Sequence, residues 1–542
     1  MNSKRIAQLA AVFLLALVLW FSTDALKRYK SLPKKPIQNP EVPIIREDLI
    51  YKLTYNDKIV DLMQIQFLDY LNGELGMKED EVFGGSLTKS YSYRDKWQYL
   101  HSFNKRIAKK GYDIRFFHRF ALRARAALIS YRILYETPPA LLQDLATLSP
   151  EPSLTEFKAS LLKVIEDVTK LLYPWINPPF TSIAQMHMSF LSGPDVGIVI
   201  TCGTKQFYMA KHLILTLREI WNINLPIEVF YSGEEDLHPS MIKSFNEMEN
   251  VRAVNLLAYF YEETYFWSGW SVKPFAMLAS RFRTVIFMDA DILFFKNPLS
   301  ILNTPQFLKT GTYFYRDRKK REDMFVKGTI LLSGIAPHLS RYGRTLEYTN
   351  QDPKRYTTTH MMESGLVVMD KGRSGVLFSL LMAAKMNGVR ERNWVLYRMT
   401  YGDKEAFWFS TELMRVPYYF NPSHGGVIGK TTKITSNAEG YTAVCGVWLL
   451  HIDQEGDPFW WNGGGVLRNR TASKDFDFED FTHIATHRLE GSVNGNVWVS
   501  PGNGHCLNQT NEQVFQLTLE QQNLIEQYKD IFRYGIQEIP LN

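Results

Sequence analysis

Residues Thr284 to Phe295, T-V-I-F-M-D-A-D-I-L-F-F, constrain the fold more than any other stretch. An unbroken apolar, β-branched and aromatic run of this kind is the pattern of a strand buried on both faces of a parallel sheet. This one is broken by two carboxylates, Asp289 and Asp291, before the apolar character resumes. In open α/β sheets ligands bind beyond the carboxyl ends of the strands. Two carboxylates flanking one small residue there can share a hard divalent cation that also holds substrate phosphates. The spacing alone carries little weight, because a chain this long holds an Asp-x-Asp pair by chance. Asp475-Phe476-Asp477 is such a pair, with no buried strand before it.

The flanking sequence supplies the sheet. Asp195 to Thr201 reads as a short apolar strand, Gly203 as a turn and Tyr208 to Trp221 as a helix. Pro226 to Tyr231 is the next strand, and another helix opens near Pro239. Alternating strands and helices predict a mostly parallel, right-handed α/β sheet. The strand at Thr284 falls within it. A helix over Val272 to Phe282 starts with Lys273-Pro274, and proline suits a first turn. An ammonium near a helix N-terminus opposes the dipole unless something negative binds there. A phosphate fits that requirement, and so does a nearby acid such as Glu262 or Glu263. Gly365 to Asp370 forms another apolar strand after Glu363-Ser364, and Tyr401 to Phe407 is a glycine turn that puts Asp403 at a helix N-cap. Val447 to Asp453 is the last strand of the set, with His451 near its end. A lone histidine there is most often a satisfied core residue. Brought beside Asp289 and Asp291, it would instead complete an N/O ligand set that suits Mn²⁺.

Charge excludes one class of partner. Of 62 basic and 56 acidic residues, seven and one lie in residues 1–35, which leaves 55 of each in the body. The neutral body carries no electrostatic footprint for nucleic acid. The basic residues flank an apolar run, Ile6 to Phe21, read as an uncleaved signal anchor for a membrane thinner than the plasma membrane. A cleaved signal peptide is the main competing reading, but no clear small-x-small site follows the bulky Leu19-Trp20-Phe21. Residues 1–5 are then a cytoplasmic tail and 22–45, Pro-rich from Ser31 to Pro43, an extended stem. Asn469-Arg470-Thr471 and Asn508-Gln509-Thr510 are glycosylation sequons, so the body is expected on the lumenal side of a single-pass type II protein. Residues 46–190 show helical spacing, and their basic run from Lys105 to Arg125 reads as a solvated helix face. The domain boundary is expected near residue 190. Cys202, Cys445 and Cys506 are compatible with one disulfide and one free thiol, and the absence of a C-x-x-C pair argues against zinc.

Several ordered blocks resemble the fungal Golgi α-mannosyltransferases of the Mnn1 type. They are Gly197-Ile198-Val199, Leu225 to Val229, Ser268 to Ser280, Met288 to Asp291, Gly311 to Arg318, Glu363-Ser364-Gly365, Gly402 to Glu405 and Trp460 to Gly464. The likeness covers about residues 195–465. It implies a GT-A fold over residues 191–480 with a C-terminal extension over 481–542, GDP-mannose as donor, Mn²⁺, retention of the α-configuration and an α-1,3 linkage on a mannosylated glycoprotein acceptor in the Golgi. It further implies that Asp289, Asp291 and His451 hold the metal. Lys273, Thr201, Gly203, Asp289, Ser364 and Gly365 would line the donor site, with Asp403 and Glu363 as the catalytic pair that holds sugar or acceptor hydroxyls. A role within a Golgi enzyme complex is compatible with this assignment. An α-1,2-transferase, a UDP-sugar transferase and a catalytically silent glycan-binding subunit are the competing readings on the same scaffold.

Overall fold

The computed structural model describes residues 117–136, 153–176, 180–260, 269–318, 331–332, 361–434, 441–468, 477–487, 498–499, 505–507 and 514–536. The chain divides into two compact units, with the break between Leu172 and Tyr173. In the first unit, α1 (Phe117–Tyr131) and α2 (Leu154–Leu172) bury Ala121, Ala124, Leu128, Leu161 and Val168. The end of the basic run lies in α1, and there the expectation of a solvated face fails: Arg123 and Arg125 are buried. The helix itself supplies a partner for one of them, since Arg125 Nε donates to the Ala121 carbonyl one turn back.

The second unit opens with α3 (Ile183–Ser192) and then alternates through β1 (Val196–Thr201), α4 (Phe207–Glu219), β2 (Ile227–Tyr231), α5 (Pro239–Asn246), β3 (Val251–Asn255), α6 (Val272–Ala279) and β4 (Thr284–Met288). β5 (Ile292–Phe294), α7 (Pro305–Thr310), β6 (Thr312–Arg316), β7 (Met362–Asp370), α8 (Ser374–Met386) and α9 (Lys404–Met414) follow. Six strands form one sheet in the order β3-β2-β1-β4-β7-β6. β3, β2, β1 and β4 run parallel, and β7 lies antiparallel between β4 and β6. Alternation along each strand gives two apolar faces. One face, with Ile198, Ile200, Ile286 and Met288, packs on Phe207, Leu213 and Leu217 of α4. The other carries Phe287, and α6 lies over it, with Lys273 Nζ 5.4 Å from that ring. The mixed α/β layer expected from the alternation is therefore present.

A second sheet departs from expectation. β8 (His424–Ile434), β9 (Tyr441–Ile452), β10 (Pro458–Asn462), β11 (His483–His487), β12 (Trp498–Val499), β13 (His505–Leu507) and β14 (Val514–Gln516) join β5 in an eight-stranded sheet. Its pairings are antiparallel. The strand that carries His451 belongs here and not to the parallel layer, because β8 and β9 form a hairpin and β10 folds back on β9. An apolar run reports that a strand is buried but not which sheet buries it.

Two boundaries also move. Trp175 packs edge-on against Phe260 and Phe275, and His187 Nε2 lies 2.9 Å from the Gly372 carbonyl, so residues from Tyr173 onward belong to the second unit. Residues past 481 are no appendage. Tyr528 of α10 (Leu519–Asp530) is buried, donates its hydroxyl to the Phe294 carbonyl at 2.5 Å and bonds His212 through its own carbonyl at 2.8 Å. Cys445 and Cys506, directly opposite on β9 and β13, form a disulfide, and Cys202 is the buried free thiol. Among the described residues no helix is long and apolar enough to cross a membrane. The proposed anchor at 6–21, the stem, Glu262, Glu263 and the sequon residues Asn469 and Asn508 lie outside the described residues.

Candidate active site

The strand ends of β1, β4 and β7 meet at one edge of the parallel layer. Ile200 pairs with Met288, so Thr201 and Asp289 stand one rung further on, side by side at two carboxyl ends. On the other flank Met288 pairs with Leu366, and the Asp289 N–H donates to the Gly365 carbonyl at 2.8 Å. That contact brings Ser364 and Glu363 beside the aspartate. Gly365 is required there: a Cβ would stand 2.7 Å from Asn462 Nδ2 and 3.1 Å from Glu363 Oε1. Beyond Asp289, Asp291 turns the chain into β5, and its carbonyl accepts the N–H of Gly465 at 3.0 Å. Gly203, two residues beyond Thr201, packs on Asp236 of the neighbouring loop.

α6 delivers Lys273 into the same place. Lys273 is 4% exposed, and its ammonium contacts both oxygens of Asp289 at 2.8 and 2.9 Å and the Ser364 hydroxyl at 3.2 Å. Asp403 Oδ2 lies 3.9 Å away. Two carboxylates of the chain itself thus stand at this ammonium. Asp403 stands at the N-cap of α9, yet its side chain does not cap the helix. It points toward Lys273, and its buried Oδ2 accepts no hydrogen bond. A second lysine completes the floor. Lys404 pairs with Asp317 and approaches Glu363 Oε2 at 4.0 Å, while Glu363 Oε1 accepts from Asn462 Nδ2 at 2.9 Å and from the Gly365 N–H at 3.0 Å.

Burial decides the electrostatics. It pushes the Lys273 ammonium down, but Asp289 and Asp403 more than offset it and hold the group above its ordinary range. Burial pushes Asp289 up to about 7 against the pull of Lys273, with Asp291 and Asp403 adding to the rise. Asp403 is likewise raised by burial, opposed by Lys273. Burial above all raises Asp289, and the surrounding acids raise Lys273: Asp289, Asp291, Asp403, Glu363 and Asp317 face Lys273 and Lys404. A hard divalent cation relieves such an excess, and Mg²⁺-like sites use one or two carboxylates with substrate phosphates as the remaining ligands. Asp289 and Asp291 fit that role as a pair.

His451 does not join them. Among the described residues no group of three or more His, Cys, Asp or Glu side chains is gathered for a metal ion. His451 pairs with Trp460, and Trp460 with Phe294, which puts it two strands from β5 and three residues along from Asp291. At strand spacings near 4.8 Å and rises near 3.3 Å that is roughly 14 Å between Cα atoms, too far for both side chains to reach one ion. The ring stacks on Trp460 at 4.2 Å and meets Tyr315 edge-on, and burial pushes it down to about 3, so it is neutral. His451 is thus a core residue but not a satisfied one: among the described residues neither of its buried ring nitrogens has a hydrogen-bond partner. Asn462, Lys404 and Asp317 were not singled out as site residues, although each lies in or beside a block that carries the resemblance.

Residues 195–453 match the family model described as "Mannosyltransferase putative". This interval contains Thr201, Lys273, Asp289, Asp291, Glu363, Asp403 and Lys404. Over this interval the chain is similar to that mannosyltransferase family. Similar curated proteins include the alpha-1,3-mannosyltransferase MNT2 of Saccharomyces cerevisiae, 28% identical over 54% of this chain and 56% of that protein. The alpha-1,3-mannosyltransferase MNN1 of the same yeast is 25% identical over 52% of this chain and 42% of its own length. The chain thus spans about half the length of the curated relatives it matches. Among solved structures, the galactosyltransferase LgtC in complex with donor and acceptor sugar analogues aligns with 41% of this chain and 72% of its own at 11% identity and a TM-score of 0.26. A likeness that slight carries no part of the assignment.

Proposed function

We propose that the protein is a retaining mannosyltransferase of GT-A type that moves mannose from GDP-mannose to a mannosylated glycoprotein glycan, forming an α-1,3 linkage. The observation that carries the reading is the convergence of Lys273, Asp289, Asp403 and Glu363 at the strand ends within the interval similar to the mannosyltransferase family. The names of the yeast relatives support the linkage. Asp289 and Asp291 would hold Mn²⁺ with the donor diphosphate; that ion, when bound, supplies Lewis-acid stabilisation of the departing phosphate.

The chain's own groups do the rest. Lys273 offers an ammonium whose raised pKa keeps it charged, so it can bind a phosphate oxygen as charge develops on the leaving group. The unbonded Asp403 Oδ2 is an acceptor for a sugar or acceptor hydroxyl. Glu363, held by Asn462 and the Gly365 N–H, keeps a fixed carboxylate beside it. Front-face displacement and a covalent intermediate on a carboxylate are both compatible with these groups. The protein would act as a Golgi type II membrane protein, with residues 6–21 as anchor.

Incubating the purified chain with a panel of sugar nucleotides and mannose acceptors, and reading the product linkage by NMR, tests the assignment. EDTA should abolish transfer and Mn²⁺ restore it. Robust activity of an Asp289→Ala/Asp291→Ala variant would sink the metal role.

A further inference from the structure

Two exposed aromatic rings border the site and take no part in the chemistry above. Trp270 is 51% and Tyr401 56% exposed. They lie 131 positions apart in the chain, yet their ring centroids are 5.6 Å apart with the planes tilted by 40°. Each is tied by a short stretch of backbone to a charged group of the pocket. Trp270 ends one turn before Lys273, in the helical turn Gly269–Ser271 that leads into α6. Tyr401 stands two residues before Asp403.

The contacts between them are built. Gly402, at φ +72°, lies under the indole, and a Cβ there would stand 2.8 Å from the ring. Only glycine both adopts this conformation readily and lets the Trp270 ring close on the backbone. Lys404 Nζ sits 5.1 Å from the centre of the Tyr401 ring while it pairs with Asp317 and approaches Glu363. The tyrosine face is therefore held by the same ammonium that anchors the catalytic floor. Two large rings held in this way, next to the buried charged cluster, present apolar faces beside an acceptor of hydroxyl groups. A pyranose has that amphipathic character: its C–H face packs on an aromatic ring and its hydroxyls seek carboxylates.

We propose that Trp270 and Tyr401 form an acceptor subsite that stacks the pyranose ring of a terminal mannoside and presents its hydroxyl to Asp403. The inference rests on the mannosyltransferase reading for the identity of the sugar. The rings contact each other, Gly402 and Lys404, whereas the donor phosphates are assigned to Lys273, Asp289 and Asp291, so the platform should govern acceptor binding and leave the nucleotide alone.

The test compares wild type with Trp270→Ala, Tyr401→Ala and Trp270→Phe in the full chain. An aromatic contact of about 0.5–1.5 kcal/mol corresponds to a two- to twelvefold change in affinity. Trp270→Ala and Tyr401→Ala should each raise the KM for α-mannobiose by roughly that factor, with calorimetric affinity for GDP-mannose unchanged and Trp270→Phe recovering much of the loss. A binding readout independent of turnover accompanies this: saturation-transfer NMR of α-mannobiose alone, where wild type should show contact through ring C–H protons and Trp270→Ala should not. Equal acceptor KM and equal saturation transfer in wild type and the alanine variants overturn the platform. If wild type transfers nothing from GDP-mannose yet shows Trp270-dependent contact with mannobiose, the donor assignment fails and the subsite stands.

Discussion

Replacing Lys273 by methionine keeps roughly the volume of the side chain and removes its charge. At an effective dielectric of about 20, the gross attraction to Asp289 at 2.8 Å is about 6 kcal/mol, and to Asp403 at 3.9 Å about 4 kcal/mol. Desolvation cancels much of both, so the net value of each contact is smaller. Removing one partner of a buried pair costs about 3–5 kcal/mol because the other charge is left stranded. Asp289 is 20% exposed and can recover some solvent, which puts Lys273→Met near the lower end, about 3 kcal/mol. The two carboxylates should not share this equally. Only Asp289 makes a charge-assisted hydrogen bond to the ammonium, and such bonds contribute about 1.5–3 kcal/mol. Double-mutant cycles on urea unfolding of the full chain should therefore give a coupling of about 2 kcal/mol for Lys273→Met with Asp289→Asn, and about 1 kcal/mol with Asp403→Asn. Transfer activity should fall in every variant. A coupling to Asp289 below that to Asp403, or a Lys273→Met variant as stable as wild type, would refute the pocket's charge assignment.

Glu405 provides a pH signature. Its buried carboxyl is pushed up from 4.5 to about 7 by burial, against hydrogen bonds from Trp408 and the Met361 N–H. The folded chain binds this proton more tightly than the unfolded chain, so the contribution is fully present below about pH 4.5 and is lost as pH rises through about 7. The gap is worth about 3 kcal/mol, and the stability advantage of wild type over Glu405→Gln should shrink by about that much between roughly pH 4 and pH 8. Urea unfolding of both proteins across that range checks it; parallel pH profiles would contradict it. The Cys445–Cys506 bond closes a segment with a sequence separation of 61, for which chain entropy gives about 4 kcal/mol. A Cys445→Ser/Cys506→Ser variant should unfold at correspondingly lower urea, and an unchanged midpoint would show that the disulfide does not stabilise the second sheet.

Much of the parallel layer was legible because its information is local. The apolar run of β4, the alternation from β1 to α5 and the proline at the start of α6 are each recorded within a dozen residues, and each forms the element expected. Asp289 and Lys273 were visible as chemistry out of keeping with their local setting, a carboxylate at the end of a buried strand and an ammonium at a helix start. The resemblance put His451 with the aspartates, and the local pattern could not oppose it, since nothing in V-W-L-L-H-I-D distinguishes a strand of one sheet from a strand of another. Window-by-window reading took Arg123 and Arg125 as solvated, because charge predicts exposure until a particular neighbour makes burial tolerable.

The sequence by itself determined the strands and helices from β1 to α5, α6 and β4, that a carboxylate pair ends a buried strand, and that the body has no charge for nucleic acid. Tertiary structure alone decided the rest. It set Lys273 against Asp289 and Asp403, clamped Glu363 with Asn462 from 99 positions away, paired Cys445 with Cys506 and sent His451 into an aromatic core. The physical reason is one of range. Periodicity and turn chemistry act over one or two turns of chain, whereas a site is built from groups whose proximity depends on how sheets and helices pack, and that packing leaves no trace in any single stretch of sequence.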